Sequence, residues 1–357
     1  MDRELARLYL KIAGTSGIGP ATFRKMMEHF GSVRRIAEAS TEELRWFLSP
    51  VVRDEMITRL ESSNPDIERE LDRVESYGAR MIFFESTEYP ELLKQINAPP
   101  PFLYSKGKEL KNDEPTVAVV GTRRPTSHGK LAAEKICKEL VHYGFTIVSG
   151  FAQGIDSIAH WATLDAGGKS IAVFGCGIDR IFPASNYNLY KEIIDKGTII
   201  SEFPIGTPPL AYNFPRRNRI ISGMCYGTVI VEAGEKSGAL ITANYAIDEG
   251  REIFAVPGPM NSEKSKGVNR LIELGATPAP DAKIILETLA PILGKKPLLL
   301  MPKEEIKQEA VEEPKALLLG AISDNPVHID ELSNKLGIPV RNLLASLFEL
   351  ELQGVVK

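Results

Sequence analysis

Val117-Ala118-Val119-Val120-Gly121-Thr122-Arg123-Arg124-Pro125-Thr126-Ser127-His128-Gly129 is a short apolar run that breaks at a glycine and opens, through hydroxyls and two arginines, into a segment with Leu131, Ile136 and Leu140 at helical spacing. An unbroken apolar run of this length reads as a strand covered on both faces. The same pattern recurs at residues 145–148, 171–174, 198–200, 229–231 and 253–256, each run ending in glycine, proline, serine or an acid. Such strands joined by helical segments predict an α/β domain: a doubly wound, Rossmann-like, mainly parallel sheet over residues 79–290. Ligands of these sheets bind outside the carboxyl ends of the strands, so the residues following each run are the functional candidates.

Outward from that core, residues 1–78 read as short helices. Leu5, Leu8, Tyr9 and Ile12 recur at helical spacing, and Gly17-Ile18-Gly19-Pro20 turns the chain before Phe23, Met26, Met27 and Phe30. This is a helix-hairpin-helix pattern, whose glycines allow backbone amides to approach a phosphate. A plain tight turn inside a small helical domain is the favoured reading, because the segment has twelve basic and fourteen acidic residues and no basic stripe. Two strands are expected at 80–84 and 102–105, around Pro99-Pro100-Pro101. Residues 291–314, rich in Lys, Glu and Pro, read as a flexible linker. The tail, 315–357, carries helices at 316–322, 329–336 and 340–352 with Gly337-Ile338-Pro339 turning between the last two, a helix-turn-helix pattern.

The chain has 357 residues, of which 43% are hydrophobic and 25% charged, as in ordinary globular proteins. No apolar run approaches the roughly eighteen residues of a membrane span, and the charged start lacks a signal-peptide pattern, so a cytoplasmic protein is expected. Cys137, Cys176 and Cys225 stand far apart among apolar neighbours, which predicts reduced, buried thiols. A net charge of −4 argues against a surface that coats nucleic acid everywhere, and leaves room for a local basic patch.

Four loops at the carboxyl edge carry chemistry. In Gly121-Thr122-Arg123, glycine, a hydroxyl and a guanidinium at a helix start form an anion site. Ser149-Gly150-Phe151-Ala152-Gln153-Gly154 repeats the arrangement with small residues that admit close backbone approach. Between Phe203 and Val231 there are three arginines and no acid, in Asn213-Phe214-Pro215-Arg216-Arg217-Asn218-Arg219. Cations for phosphates, a ring for stacking and an amide for base edges are what a single strand requires. A solvated helix start whose arginines pair with distant acids is the plainer reading. Lys236-Ser237-Gly238 is a fourth anion-capable helix start, weak alone.

Several enzyme classes lack their signatures. Gly168-Lys169-Ser170 precedes a strand and has Thr163 where a P-loop needs glycine, and no G-x-G-x-x-G follows the first strand. The five histidines have no metal spacing, and no serine sits in a nucleophile elbow. The reading therefore includes no cofactor, no metal and no catalytic residue.

Gly121-Thr122-Arg123, the stretch from Ser149 to Asp156, Ser201-Glu202-Phe203-Pro204, the stretch from Asn213 to Ile221, and Glu232 to Thr242 followed by Ala255-Val256-Pro257-Gly258 resemble the successive motifs of the DprA/Smf family. The resemblance implies an extended Rossmann fold that forms a homodimer, holds single-stranded DNA in a basic pocket and loads the RecA recombinase during natural transformation. It also implies an N-terminal domain of the sterile-alpha-motif type and a winged-helix tail. The DNA-pocket role passes to Arg123, Ser149, Gly150, Phe214, Arg217, Asn218 and Arg219, with Arg216 beside them; the loop reading adds Gly121, Thr122, Phe151, Ala152, Gly154, Lys236, Ser237 and Gly238. The tail stops at Lys357, where a full winged helix would continue into a β-hairpin wing, and Glu349 and Glu351 in its last helix repel phosphate, so partner or self-contact is expected there. A nucleotide-binding or phosphoribohydrolase enzyme using Glu232 is the alternative, although P-G-G-x-G-T-x-x-E is absent. A sensor of free nucleotide is a third.

Overall fold

Runs of β-branched residues flanked by turns give nine strands in the computed structural model, which describes residues 2–294, 329–336 and 343. The strands are β1 (Arg80–Phe83), β2 (Phe102–Gly107), β3 (Thr116–Val120), β4 (Thr146–Ser149), β5 (Ser170–Phe174), β6 (Thr198–Ser201), β7 (Gly227–Ile230), β8 (Glu252–Ala255) and β9 (Thr277–Pro278). They form one sheet in the order β1-β2-β6-β5-β4-β3-β7-β8-β9. From β6 to β9 all pairings are parallel, while β1 with β2 and β2 with β6 run antiparallel. The sheet is therefore doubly wound and mainly parallel, as the apolar runs predict, with an antiparallel edge. Winding proceeds from β3 through β4 and β5 to β6, then jumps back across β3 to β7. The crevice at that switch point is where such sheets bind ligands.

Alternation along the strands assigns the two faces. Val117 and Val119 of β3 pack under α8 (Ser127–His142), α9 (Ile155–Asp165) and α14 (Ala282–Leu289), while Ala118 and Val120 pack under α11 (Asn213–Gly223), α12 (Gly238–Asp248) and α13 (Lys266–Glu273). Each fully buried aliphatic side chain contributes about 1.5 to 3 kcal/mol. The sheet is thus pinned from both sides, and its carboxyl-end loops rest on a rigid base.

Residues before β1 fold into α1 (Arg3–Ala13), α2 (Pro20–Phe30), α3 (Val33–Glu38), α4 (Thr41–Leu44), α5 (Pro50–Glu61) and α6 (Pro65–Ser76). They share a hydrophobic cluster with β1, β2 and α10 (Tyr187–Lys196), in which the Tyr9 ring stacks on Phe83 with centroids 4.7 Å apart. Residues 1–300 form one compact unit and residues 301–357 another. In the Gly17-Ile18-Gly19 turn, Gly17 has φ +88° and packs on Val52, and the nearby Ser16 N–H donates to the Glu55 carboxylate at 3.1 Å. A carboxylate at that turn repels phosphate, and Arg3, Arg7, Arg24 and Arg34 are each paired with an acid. The structure of the hairpin thus suits a packing turn.

A short helix, α7 (Glu91–Lys94), lies between β1 and β2. In the second unit the expected helix at 329–336 is present as α15 (Ile329–Leu336). Residues 291–294, expected as the start of the linker, form a turn continuing from α14, with Leu293 N–H donating to Leu289 O at 3.0 Å, while the rest of the linker and the helices expected at 316–322 and 340–352 lie outside the described residues, apart from the buried Leu343. Among the described residues the three cysteines are buried and free, and no helix is long and apolar enough to cross a membrane.

Candidate functional site

The loops after β3, β4, β5, β6, β7 and β8 and the cleft-facing side of α11 enclose a cleft of about 820 Å³ at the switch point. Its walls begin with backbone. The Thr122 N–H donates to Glu232 O at 2.7 Å, and Thr122 O accepts from Ile155 N–H at 3.1 Å, which ties the loop after β3 to β7 and α9. Gly154 has φ +85°, and a Cβ there would lie 2.3 Å from Thr122 O, so only glycine lets the two loops touch. The Thr126 hydroxyl accepts from Gly129 N–H at 3.1 Å and caps α8, while Thr126 N–H and hydroxyl both donate to the Glu232 carboxylate. Glu232, the candidate acid of the enzyme reading, is buried and engaged in holding the start of α8.

Helical spacing then sorts the cluster on α11. Phe214, Arg217, Asn218 and Ile221 line the cleft, as residues three and four apart must. Arg219 points away, 8% exposed, and donates from Nη2 to Glu202 Oε2 at 2.6 Å. Arg216 is exposed outside the cleft, with its guanidinium 5.7 Å from the Phe203 ring. Arg217 is 5% exposed, and its Nη1 donates to Gly150 O at 2.6 Å and to Val173 O. Gly150 has space only for hydrogen: a Cβ would lie 2.7 Å from Asp156 Oδ2 and 2.8 Å from Arg217 Nη2. Burial pushes the Arg217 guanidinium down to about 10, against the pull of Asp156, so it stays charged at neutral pH. Burial likewise raises Asp156, with Arg217 and the amides of Ala152, Gly121 and Gly150 opposing.

The structure thus brings Gly121, Thr122, Arg123, Ala152, Phe214, Arg217, Asn218, Lys236, Ser237 and Gly238 to one cleft, with Gly150 lining a smaller cavity beside it. Ser149, Phe151, Gly154, Arg216 and Arg219 do not line it. Ser149 is fully buried and its hydroxyl donates to Val119 O at 2.6 Å, joining β4 to β3. Phe151 lies in the core against Phe174, centroids 4.7 Å apart. Among the lining residues not read from the sequence, two bear on binding. Lys264 sits in the loop after β8 and Phe182 in the loop after β5; their positions beyond strand ends were the available signal. Arg123, Lys236 and Lys264 have no ion-pair partner among the described residues, whereas Glu263, an acid on the rim, pairs with Lys266 at 2.6 Å. The cleft can therefore take an anion of several charges and an aromatic face.

Fold and site together define a doubly wound α/β protein with a cationic switch-point cleft. A family model described as DNA recombination-mediator protein A matches residues 80–290, and one described as the DprA winged helix domain matches 302–357. Protein Smf from Synechocystis is 32% identical over 98% of this chain and 95% of its own length, and the DNA processing protein DprA of Bacillus subtilis is 38% identical over 68% and 84%. The solved structure of DNA processing protein A from Streptococcus pneumoniae superposes with TM-score 0.68 at 32% identity, covering 80% of this chain and 97% of that one. A structure described as revealing the single-stranded DNA binding mode of the Helicobacter pylori protein gives TM-score 0.54 at 29% identity, covering 60% and 96%. The chain belongs to the DprA/Smf family, with a winged helix domain at its C-terminus.

Proposed function

We propose that the switch-point cleft holds single-stranded DNA without altering it chemically, and that the chain passes the strand to the RecA recombinase in natural transformation and recombination. The observation that carries the first part is the set of cations without ion-pair partners among the described residues, Arg123, Lys236 and Lys264, around the half-buried Phe214. Cations track a phosphate backbone and a ring accepts a base face, which a duplex keeps stacked and unavailable. The engagement of both Glu232 oxygens by Thr126 speaks against a free catalytic carboxylate there. The RecA step rests on family membership, and a cytoplasmic place of work follows from it.

Family membership also supports a homodimer. Ile241, Met260 and Leu274, exposed by 39%, 91% and 66%, border one cavity beside α12 and α13 and offer an apolar surface for a second copy. The full chain should then scatter light as twice its own mass at micromolar concentration; a strictly monomeric chain refutes the dimer.

The test of the DNA reading is competition. Labelled oligothymidine should bind, with free nucleotides neither displacing it nor being hydrolysed. Displacement by a mononucleotide at comparable concentration, or its turnover, overturns the reading in favour of a nucleotide-binding protein or enzyme. For the RecA step, the full chain should shorten the lag of RecA filament growth on oligonucleotide; an unchanged lag refutes it.

A further inference from the structure

The loop after β5 carries Phe182, whose ring is 45% exposed although it stands at the mouth of the cleft. Its inner side meets Phe214, with centroids 5.7 Å apart and planes tilted by 40°. Phe214 is itself seated from behind: a Cβ at Gly175 would fall 2.8 Å from its Cδ1, so the ring lies directly against glycine backbone. The two rings are too close and too tilted for a base to enter between them, since a base stacked on both would hold them roughly 7 Å apart and parallel. The free face of Phe182 remains. A second, smaller cavity joins Phe182 and Phe214 to Arg123, Gln153 and Arg217. Arg123 lacks an ion-pair partner among the described residues, and the Gln153 amide nitrogen donates to Ser185 Oγ at 3.1 Å.

We infer that Phe182 is a base-stacking platform: an unpaired nucleobase lies on its outer face while Arg123 takes a neighbouring phosphate. This inference rests on the reading of the cleft as a single-strand site and deepens it by assigning the base contact to a residue on a loop separate from α11. Stacking uses a face that every base possesses, so the platform confers little sequence preference.

The experiment compares oligothymidine with an abasic sugar-phosphate strand of the same length, using the parent, Phe182→Ala and Phe182→Trp. Phe182→Ala should weaken oligothymidine binding by about 5- to 150-fold, the range for loss of one base stack, and leave abasic binding within about twofold. Phe182→Trp should restore oligothymidine binding. Equal losses on both strands, or an alanine variant that binds oligothymidine as tightly as the parent, overturn the platform alone. A parent that binds neither strand overturns the cleft reading and the platform with it.

Discussion

Arginine to alanine changes at positions 123 and 217 should have different consequences, although both guanidinium groups line the same cleft. Arg123 is exposed and has no ion-pair partner among the described residues, so Arg123→Ala removes no contact seen in the compact unit that holds the cleft. Loss of one charge-assisted contact to phosphate costs about 1 to 3 kcal/mol, or about 5- to 150-fold in affinity, with stability unchanged. Arg123→Lys should recover part of the loss, keeping the charge without the planar fork. Arg217 is structural as well: it is buried, donates to Gly150 O and Val173 O, and faces Asp156. Removing it leaves two buried carbonyl acceptors without a donor, a loss of about 1 to 3 kcal/mol for each group left unsatisfied. Urea unfolding and anisotropy of labelled oligothymidine separate the two. Parental stability in Arg217→Ala, or parental affinity in Arg123→Ala, would refute this division of roles.

Three further outcomes are expected. Lys264→Ala should flatten the salt dependence of oligonucleotide affinity by about 0.7, one phosphate contact on a single strand, whereas Lys283→Ala, on α14 outside the cleft, should not. Truncation at about residue 300, which removes the second compact unit, should leave affinity within roughly threefold, under 1 kcal/mol; a tenfold loss in binding titrations would place the tail in the site. His160 is buried, its Nδ1 2.6 Å from Ser170 Oγ, and burial pushes its pKa down from 6.5 to about 3. Between those values the unfolded chain takes a proton that the fold refuses, so stability falls as pH drops. From pH 7.5 to pH 5 this group costs about 2 kcal/mol, and His160→Gln should lose that much less across the interval in denaturant titrations; an identical pH dependence counts against the assignment.

The parallel strands were legible because each is a continuous apolar run, which one physical cause, burial on both faces, writes into the sequence. β9 was not legible: Thr277–Pro278 is two residues long and contains a proline, so there is no run to read. The antiparallel placement of β2 against β6 was also invisible, since pairing partners far apart in sequence leave no periodic trace. In the site, Arg123 and Lys236 follow from the rule that ligands sit beyond strand ends. The arginine cluster reads as a unit in the sequence, yet a helix turns about 100° per residue, which sends Arg217 inward and Arg216 and Arg219 to other faces. Ser149, the serine that ends the apolar run 145–148, reads as the start of a loop, but it is the last residue of β4 and its hydroxyl is used by the sheet. Phe182 and Lys264 belong to no motif, and only the folded chain brings them to the cleft.

The central claim, that the cleft holds a single strand by its phosphates, is tested most directly by the salt dependence of oligothymidine and blunt-duplex affinities measured side by side. With Arg123, Arg217, Lys236 and Lys264 facing the strand, about four phosphates are neutralised, and log affinity for oligothymidine should fall against log salt with a slope of roughly −3. The duplex should bind more weakly at every salt concentration. A flat salt dependence, or duplex affinity equal to or above that of the single strand throughout, would contradict the account.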